Sequence, residues 1–419
     1  MTDRLSESLS LPCGATLSNR LVKSAMTEGI ADALNRATPG HATLYKRWSE
    51  GGAGLLLTGN VQVDRRYLER PGNVVIEDGP DLAAGLDGLR AFAAAGTAAG
   101  NHLWMQIGHA GRQTPIAVNP EPVAPSAVPM ELPPGRFGDP RALTGDEVED
   151  VVRRFAFVAG VARDTGFTGV QIHAAHGYLI SEFLSPKANR RDDTWGGPLE
   201  NRARLLREAM RAMRRTVGRD FPIGVKLNSA DFQQGGFTFE ECKQVVRWLE
   251  ADGCDLLEIS GGNYEQPSMM GARAKQEVDA NAAPVRESTR RREAYFLDYA
   301  AAMREVTAMP LLVTGGFRTG EGMQDALASG ALDVVGLARP LCSEPDIPAR
   351  LLAGERDAAR SDEKTIDPPQ AGLAWFCLQI IRLAEDKDAD LDLAGRAAIK
   401  AYAAYEADKA AALKKEIPA

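Results

Sequence analysis

"TGDEVEDVVRRFAFVAGVARDTGFTGVQIHAAHGY", residues 144–178, is one helix-to-strand step written out in full. Its first part carries apolar residues at spacings of three and four, which predicts an amphipathic helix. Thr144 or Asp146 is placed to cap that helix, acids occupy the first turn, and Gly166 marks the end. A short β-type run, "TGVQIHAAHG", follows at once. It closes on His173, His176 and Tyr178, three proton-handling side chains within six positions.

The same step recurs along the chain. Eight β-type runs are separated by helix-type segments: "RLVKSAM", "AGLLLTGNV", "HLWMQIGHAG", "TGVQIHAAHG", "PIGVKLNSA", "CDLLEISGG", "PLLVTGG" and "LDVVGLAR". Leu55-Leu56-Leu57 and Leu311-Leu312-Val313 do not alternate with polar residues, which is the pattern of strands buried on both faces of a parallel sheet. "LENRARLLREAMRAMRRTVG" and "TFEECKQVVRWLEADGC" read as helices between them. A count of eight, with no dinucleotide fingerprint opening the series, predicts an α/β fold of the (β/α)8 TIM-barrel type rather than an open doubly wound sheet.

Three segments lie outside that rhythm. "LSLPCGATLSN" suits an N-terminal hairpin with Gly14 at its turn, closing the barrel bottom. Residues 110–143 form a long loop rich in proline and glycine after the third strand, read as a cap over the barrel mouth. Residues 371–413 are alanine-rich and helix-prone. The division expected is a barrel over residues 1–360 and a helical C-terminal extension over 361–419, packing on the barrel or on a partner subunit of a homo-oligomer.

Composition narrows the class. The chain has 419 residues, 44% hydrophobic and 25% charged, with a net charge of −8; this is a folded protein and not a general nucleic-acid binder. Five cysteines without a CxxC pair read as reduced thiols, which suggests the cytoplasm. The N-terminus has no basic-then-apolar leader pattern. The apolar stretch Ala371 to Ala384 is interrupted by Gln379 and Arg382 and is too short for a bilayer, so no membrane partner is expected.

Function in such barrels collects at the C-terminal strand ends. Ends seven and eight carry Gly315-Gly316 and Gly336 to Arg339, suited to a phosphate held by backbone N–H groups and a guanidinium. The earlier ends carry Ser24 to Thr27, Gly59, Gln106 with His109, then His173, His176 and Tyr178, then Lys226 and Ser260 to Gly262. Taken alone, His173 and His176 with His109 are compatible with zinc and a metal-dependent barrel hydrolase. The bridging acids of such sites are missing from these ends, and Lys226 would set a cation beside the metal. Lys226 by itself also suits a Schiff-base lysine, and paired histidines a packed core.

"LSNRLVKSAMT", "QIGHAGRQ", "IHAAHGYLISEFLSP" with "NRRDDTWGGPLENRARL", "ISGGNYE", "VTGGFR" and "GLARP", in that order, resemble the Old Yellow Enzyme family of FMN-dependent ene-reductases over roughly residues 5 to 350. The resemblance implies non-covalent FMN reduced by NADPH or NADH, with an enone as the small-molecule substrate. Ser24, Ala25, Met26, Thr27 and Gly59 would lie along the flavin ring, with the Thr27 hydroxyl near the C4 carbonyl; many members have cysteine there. Gln106 would bond the pyrimidine edge, and Lys226, where many members have arginine, would face N1 and the C2 carbonyl. Gly315, Gly316, Gly336, Ala338 and Arg339 would hold the phosphate, Ala338 standing where some members have glycine. His173 and His176 would donate to a substrate carbonyl, Tyr178 would protonate the α-carbon, and Tyr264 would line the substrate pocket. A flavin-binding protein that no longer turns over would lack these donors, and all three are present. Trp104 is expected in the core, and His41, just before a helix, is expected to face solvent.

Overall fold

A computed structural model of the chain describes residues 3–262, 264–265 and 296–416. Two short strands open it, β1 (Leu9–Ser10) and β2 (Thr16–Leu17), paired antiparallel around Gly14, whose φ of +92° suits the turn. The barrel strands follow: β3 (Leu21–Lys23), β4 (Leu55–Gln62) and β5 (His102–Gly108). A minor pair, β6 (Val123–Ala124) and β7 (Arg141–Ala142), interrupts the series before β8 (Gly169–Ala174), β9 (Ile223–Asn228), β10 (Leu256–Ser260), β11 (Leu311–Thr314) and β12 (Val334–Leu337). The eight expected strands close into one parallel barrel in chain order, with β12 pairing back onto β3.

The leucine runs explain the two layers of the core. Leu55 and Leu57 belong to an inner cluster with Val22, Trp104, Leu312 and Val334, while Leu56 joins the outer cluster beneath the helices. Successive strand residues point to opposite faces, so an all-apolar strand feeds both layers. Leu11 and Leu17 of the hairpin complete the inner cluster from below. Trp104 is fully buried there. Its indole needs glycine on β8 and β9: a Cβ at Gly169 would lie 2.5 Å from the ring, and one at Gly224 3.0 Å.

The helix over Gly145–Asp164 starts where expected, with Thr144 accepting from the Glu147 N–H and Glu147 accepting from the Thr144 N–H in a capping box. His41, in contrast, is not solvent-facing. It is 1% exposed, at the third position of the helix Pro39–Glu50; its Nδ1 accepts the Thr38 N–H at 3.0 Å and its ring packs on Phe92. Capping and an apolar neighbour outweigh the hydration of a neutral imidazole, whose pKa burial brings down to about 4.

The 110–143 loop is more ordered than its composition suggested. It holds β6 and β7, and Arg112 donates to the carbonyls of Val128 and Pro129 while Arg191 donates to that of Pro125. Its Phe137 stacks against Tyr264, 6.2 Å between ring centroids, which brings the loop over the strand ends. The C-terminal region forms helices Gly372–Ala384 and Gly395–Glu416. The second rests on the segment after β3: the Tyr405 hydroxyl donates to the Gly29 carbonyl at 2.9 Å and Lys409 to that of Ala31. Among the described residues no helix is long and apolar enough to cross a membrane.

Candidate active site

Strand register builds the site. Across the barrel, Asn60 is level with Gln106, Gln106 with Gln171, His173 with Lys226, and Lys226 with Glu258. Neighbours in register on a parallel barrel share a layer, so polar side chains from successive strands, two of them from β8, form a belt at the C-terminal ends. Hydrogen bonds run along it: Gln106 Nε2 donates to Gln171 Oε1 at 2.6 Å, and Gln171 Nε2 to Glu258 Oε2 at 2.9 Å. Lys226 Nζ is 3.1 Å from Glu258 Oε1, which also accepts from Thr314 Oγ1 at 2.7 Å; Thr314 in turn meets Ser24 Oγ at 2.8 Å.

Above the belt, strand β8 runs through Ala174 and then turns at His176, whose φ is +64°, and Gly177, at +80°. That left-handed pair reverses the parity of an extended strand. His173 and His176, three residues apart, therefore meet edge to face at 5.1 Å between centroids, and His173 meets the Tyr178 ring at 4.7 Å. His173 Nδ1 accepts the Ala175 N–H at 3.3 Å, which places the proton of its neutral ring on Nε2. His176 Nε2 pairs with Ser260 Oγ at 2.6 Å, and the Tyr178 and Tyr264 hydroxyls are 3.1 Å apart.

Electrostatics keep this cluster uncharged. Burial, and then the Lys226 ammonium, hold both imidazoles well below their ordinary pKa. Burial likewise holds the Tyr178 phenol well above its usual value, with Tyr264 adding to the effect. His109 stands apart: its ring stacks on Tyr67 at 5.2 Å and its Nδ1 accepts the Gly111 N–H. Among the described residues, no three His, Cys, Asp or Glu side chains converge as a metal site would require.

Two buried acids that the sequence reading passed over grip the segment after β3. Glu28 Oε1 accepts the Gly59 N–H at 2.8 Å, and a Cβ at Gly59 would fall 2.2 Å from Glu28 Oε2 and 2.5 Å from the Met26 carbonyl. Glycine at 59 is thus demanded by the close approach of residues 26–28. The Thr27 hydroxyl donates to Glu69 Oε2 at 2.9 Å, so it turns lone pairs rather than its hydrogen to any other neighbour. Burial would raise the Glu69 carboxyl, but the Arg70 charge, with hydrogen bonds from Arg70, Thr27 and Asn73, brings it below its usual range. Ala25 packs on the inner cluster, and Met26 Sδ lies 3.5 Å from Cys342 Sγ. A signal for Glu258 and Gln171 was present: a polar residue midway along an otherwise apolar strand has to point into a shared interior.

The residues fit FMN. Gln106 commits its Nε2 to Gln171, which leaves its carbonyl to accept from a ring N–H. At ends seven and eight, Gly315 and Gly316 have φ of +127° and +83°, and the volume a Cβ on Gly315 would take is open. Arg339, half-buried at the start of the 3-10 turn Arg339–Cys342, makes no ion pair with any described residue. A Cβ on Gly336 would strike Thr314 Oγ1 at 2.2 Å and Ser24 Oγ at 2.4 Å, so glycine is demanded there on packing grounds as well. Ala338 adopts φ −120°, ψ −85° at the turn between β12 and Arg339.

Comparison with known proteins agrees with this geometry. The model of the NADH:flavin oxidoreductase / NADH oxidase family matches residues 12–357. An NADH-dependent flavin oxidoreductase of Neonectria sp. is 37% identical over 81% of this chain, which spans 46% of that relative's length. One from Hypocrea jecorina is 34% identical over 89% of this chain and 94% of its own. Among solved structures, the old yellow enzyme homologue from Zymomonas mobilis superimposes with a TM-score of 0.68 at 25% identity, over 85% of this chain and 94% of that one. The chain belongs to the NADH:flavin oxidoreductase / NADH oxidase family, that of Old Yellow Enzyme, and is an NAD(P)H-dependent, FMN-carrying oxidoreductase.

Proposed function

We propose that the protein reduces the activated C=C bond of α,β-unsaturated carbonyl compounds. The observation that carries this reading is the convergence of His173, His176 and Tyr178 at one strand end, with both imidazoles neutral. FMN, when bound and reduced by NADPH or NADH, would supply the hydride that the substrate β-carbon accepts. His173 holds the carbonyl oxygen through Nε2–H, and His176 joins it with the ring nitrogen not engaged by Ser260. Donors fixed by the fold stabilise the negative charge that grows on that oxygen. Tyr178 gives its phenolic proton to the α-carbon; a phenol that stays protonated across neutral pH is suited to this. Tyr264, 3.1 Å from Tyr178 between hydroxyl oxygens, is the group from which that proton is restored. The 110–143 loop, stacked on Tyr264 through Phe137, shapes the far wall of the substrate pocket.

Anaerobic stopped-flow with Tyr178→Phe tests the assignment. Reduction by NAD(P)H should proceed near the wild-type rate, while reoxidation by an enone such as 2-cyclohexenone slows by roughly 10²–10⁴-fold, the usual worth of a general acid. Equal loss in both half-reactions would remove Tyr178 from the proton-donor role.

A further inference from the structure

Glu258 is 0% exposed and stands between Leu257 and Ile259 in β10, a position where a carboxylate is costly unless it is fully partnered. It has three partners: Lys226 Nζ at 3.1 Å and Thr314 Oγ1 at 2.7 Å on one oxygen, and Gln171 Nε2 at 2.9 Å on the other. We propose that Glu258 is a positioning residue for FMN, setting the hydrogen-bond polarity of Gln106 through Gln171 and tempering the field of Lys226, so that it tunes the reduction potential of the bound cofactor.

The polarity follows from chemistry. An ionised carboxylate only accepts hydrogen bonds, so the Gln171 amide has to turn its nitrogen toward Glu258 and its oxygen toward Gln106. Gln106 must then spend an N–H of its amide on that oxygen, which fixes the direction in which its own carbonyl points for the cofactor. Each amide in this chain is therefore oriented from one end. The charge effect is separate. At 3.1 Å, Lys226 and Glu258 form a short buried dipole, whose field falls off faster with distance than that of a lone ammonium. Beside a flavin edge that gains negative charge on reduction, a lone ammonium would favour the reduced form more strongly than the pair does.

The test uses the purified FMN-loaded protein and equilibration with a reference dye, with no enone present, so its outcome is independent of the Tyr178 assignment. Glu258→Gln leaves Lys226 uncompensated and should favour the reduced cofactor at least tenfold, a rise of about 30 mV for a two-electron couple. It also admits an amide where only an acceptor stood. Gln171 can then flip, and the Kd of the variant for FMN should rise at least tenfold. A potential within threefold of wild type, about 15 mV, would overturn the proposal. Should that variant not retain FMN, the double replacement Glu258→Gln/Lys226→Met removes both charges from the core together. Its potential should stay within about 15 mV of wild type because the two charges offset one another. A fall of about 30 mV or more would mean that Lys226 acts at full strength and that Glu258 does not temper it.

Discussion

Glu182→Gln should make the protein more stable at alkaline pH. Glu182 lies in the helix Leu179–Leu184, directly after Tyr178, and is 1% exposed. Its Oε1 accepts the Arg112 N–H at 2.9 Å, whereas its Oε2 has no partner among the described residues. Burial pushes its carboxyl from 4.5 up to about 8, against the pull of the Arg112 charge and N–H, with Glu265 adding to the rise. The folded chain therefore binds this proton more tightly than the unfolded chain does. Between roughly pH 4.5 and 8 the folded state carries the extra proton, so stability falls as pH rises through that window and the loss is complete above about 8. At 1.36 kcal/mol per pKa unit, the whole window is worth about 3–5 kcal/mol. Glutamine keeps the acceptor for Arg112, carries no charge at any pH, and has no such slope. Urea unfolding of wild type and Glu182→Gln, both FMN-loaded, should give similar free energies at pH 5 and a variant several kcal/mol more stable at pH 9. Parallel pH profiles would refute the reasoning, because they would mean Glu182 ionises alike in the folded and unfolded chains.

Three further outcomes follow from packing and charge. Gly169→Ala drives a methyl to within 2.5 Å of the Trp104 indole and should cost about 1–3 kcal/mol by denaturant titration, with Ala at the exposed Gly79 as the neutral control. Arg70→Met leaves the buried Glu69 carboxylate without its counter-charge and should destabilise the fold by about 3–5 kcal/mol, measurable as a lowered urea midpoint. Because the folded-state pKa of His173 and His176 lies well below the ordinary value, both are already neutral at pH 6. The affinity for a neutral phenol ligand should accordingly stay flat between pH 6 and 8, and a step near 6.5 would contradict the assignment.

The parts of the molecule that repeat or that carry unusual chemistry were legible in the sequence. Leu55-Leu56-Leu57 announced a strand buried on both faces, Thr144 or Asp146 with the acids of the first turn announced a helix start, and His173, His176 and Tyr178 were conspicuous for their density. What escaped were groups whose role depends on residues far away in the chain. Glu258 is one acid among 57 acidic residues until the register of β9 and β10 sets it beside Lys226. Glu69 reads as a surface acid until Thr27, 42 positions earlier, donates to it. His41 looked exposed because it stands at the edge of a helical segment, yet its neighbours in space are Phe92 and the helix start. Docking of the last helix on Gly29 and Ala31 rests on Tyr405 and Lys409, which local periodicity assigns only to a helix surface.

The left-handed backbone at His176 also limits how the proposed substrate clamp can be varied. With φ at +64°, this position excludes β-branched and bulky side chains, and it tolerates glycine, asparagine, aspartate and histidine best. Of those, only histidine and asparagine bring an N–H donor. A saturation library at residue 176 thus collapses to two useful outcomes, whereas His173, in ordinary strand geometry, accepts a far wider alphabet. Substrate scope is better diversified at 173 and along the capping loop, with 176 held to that pair.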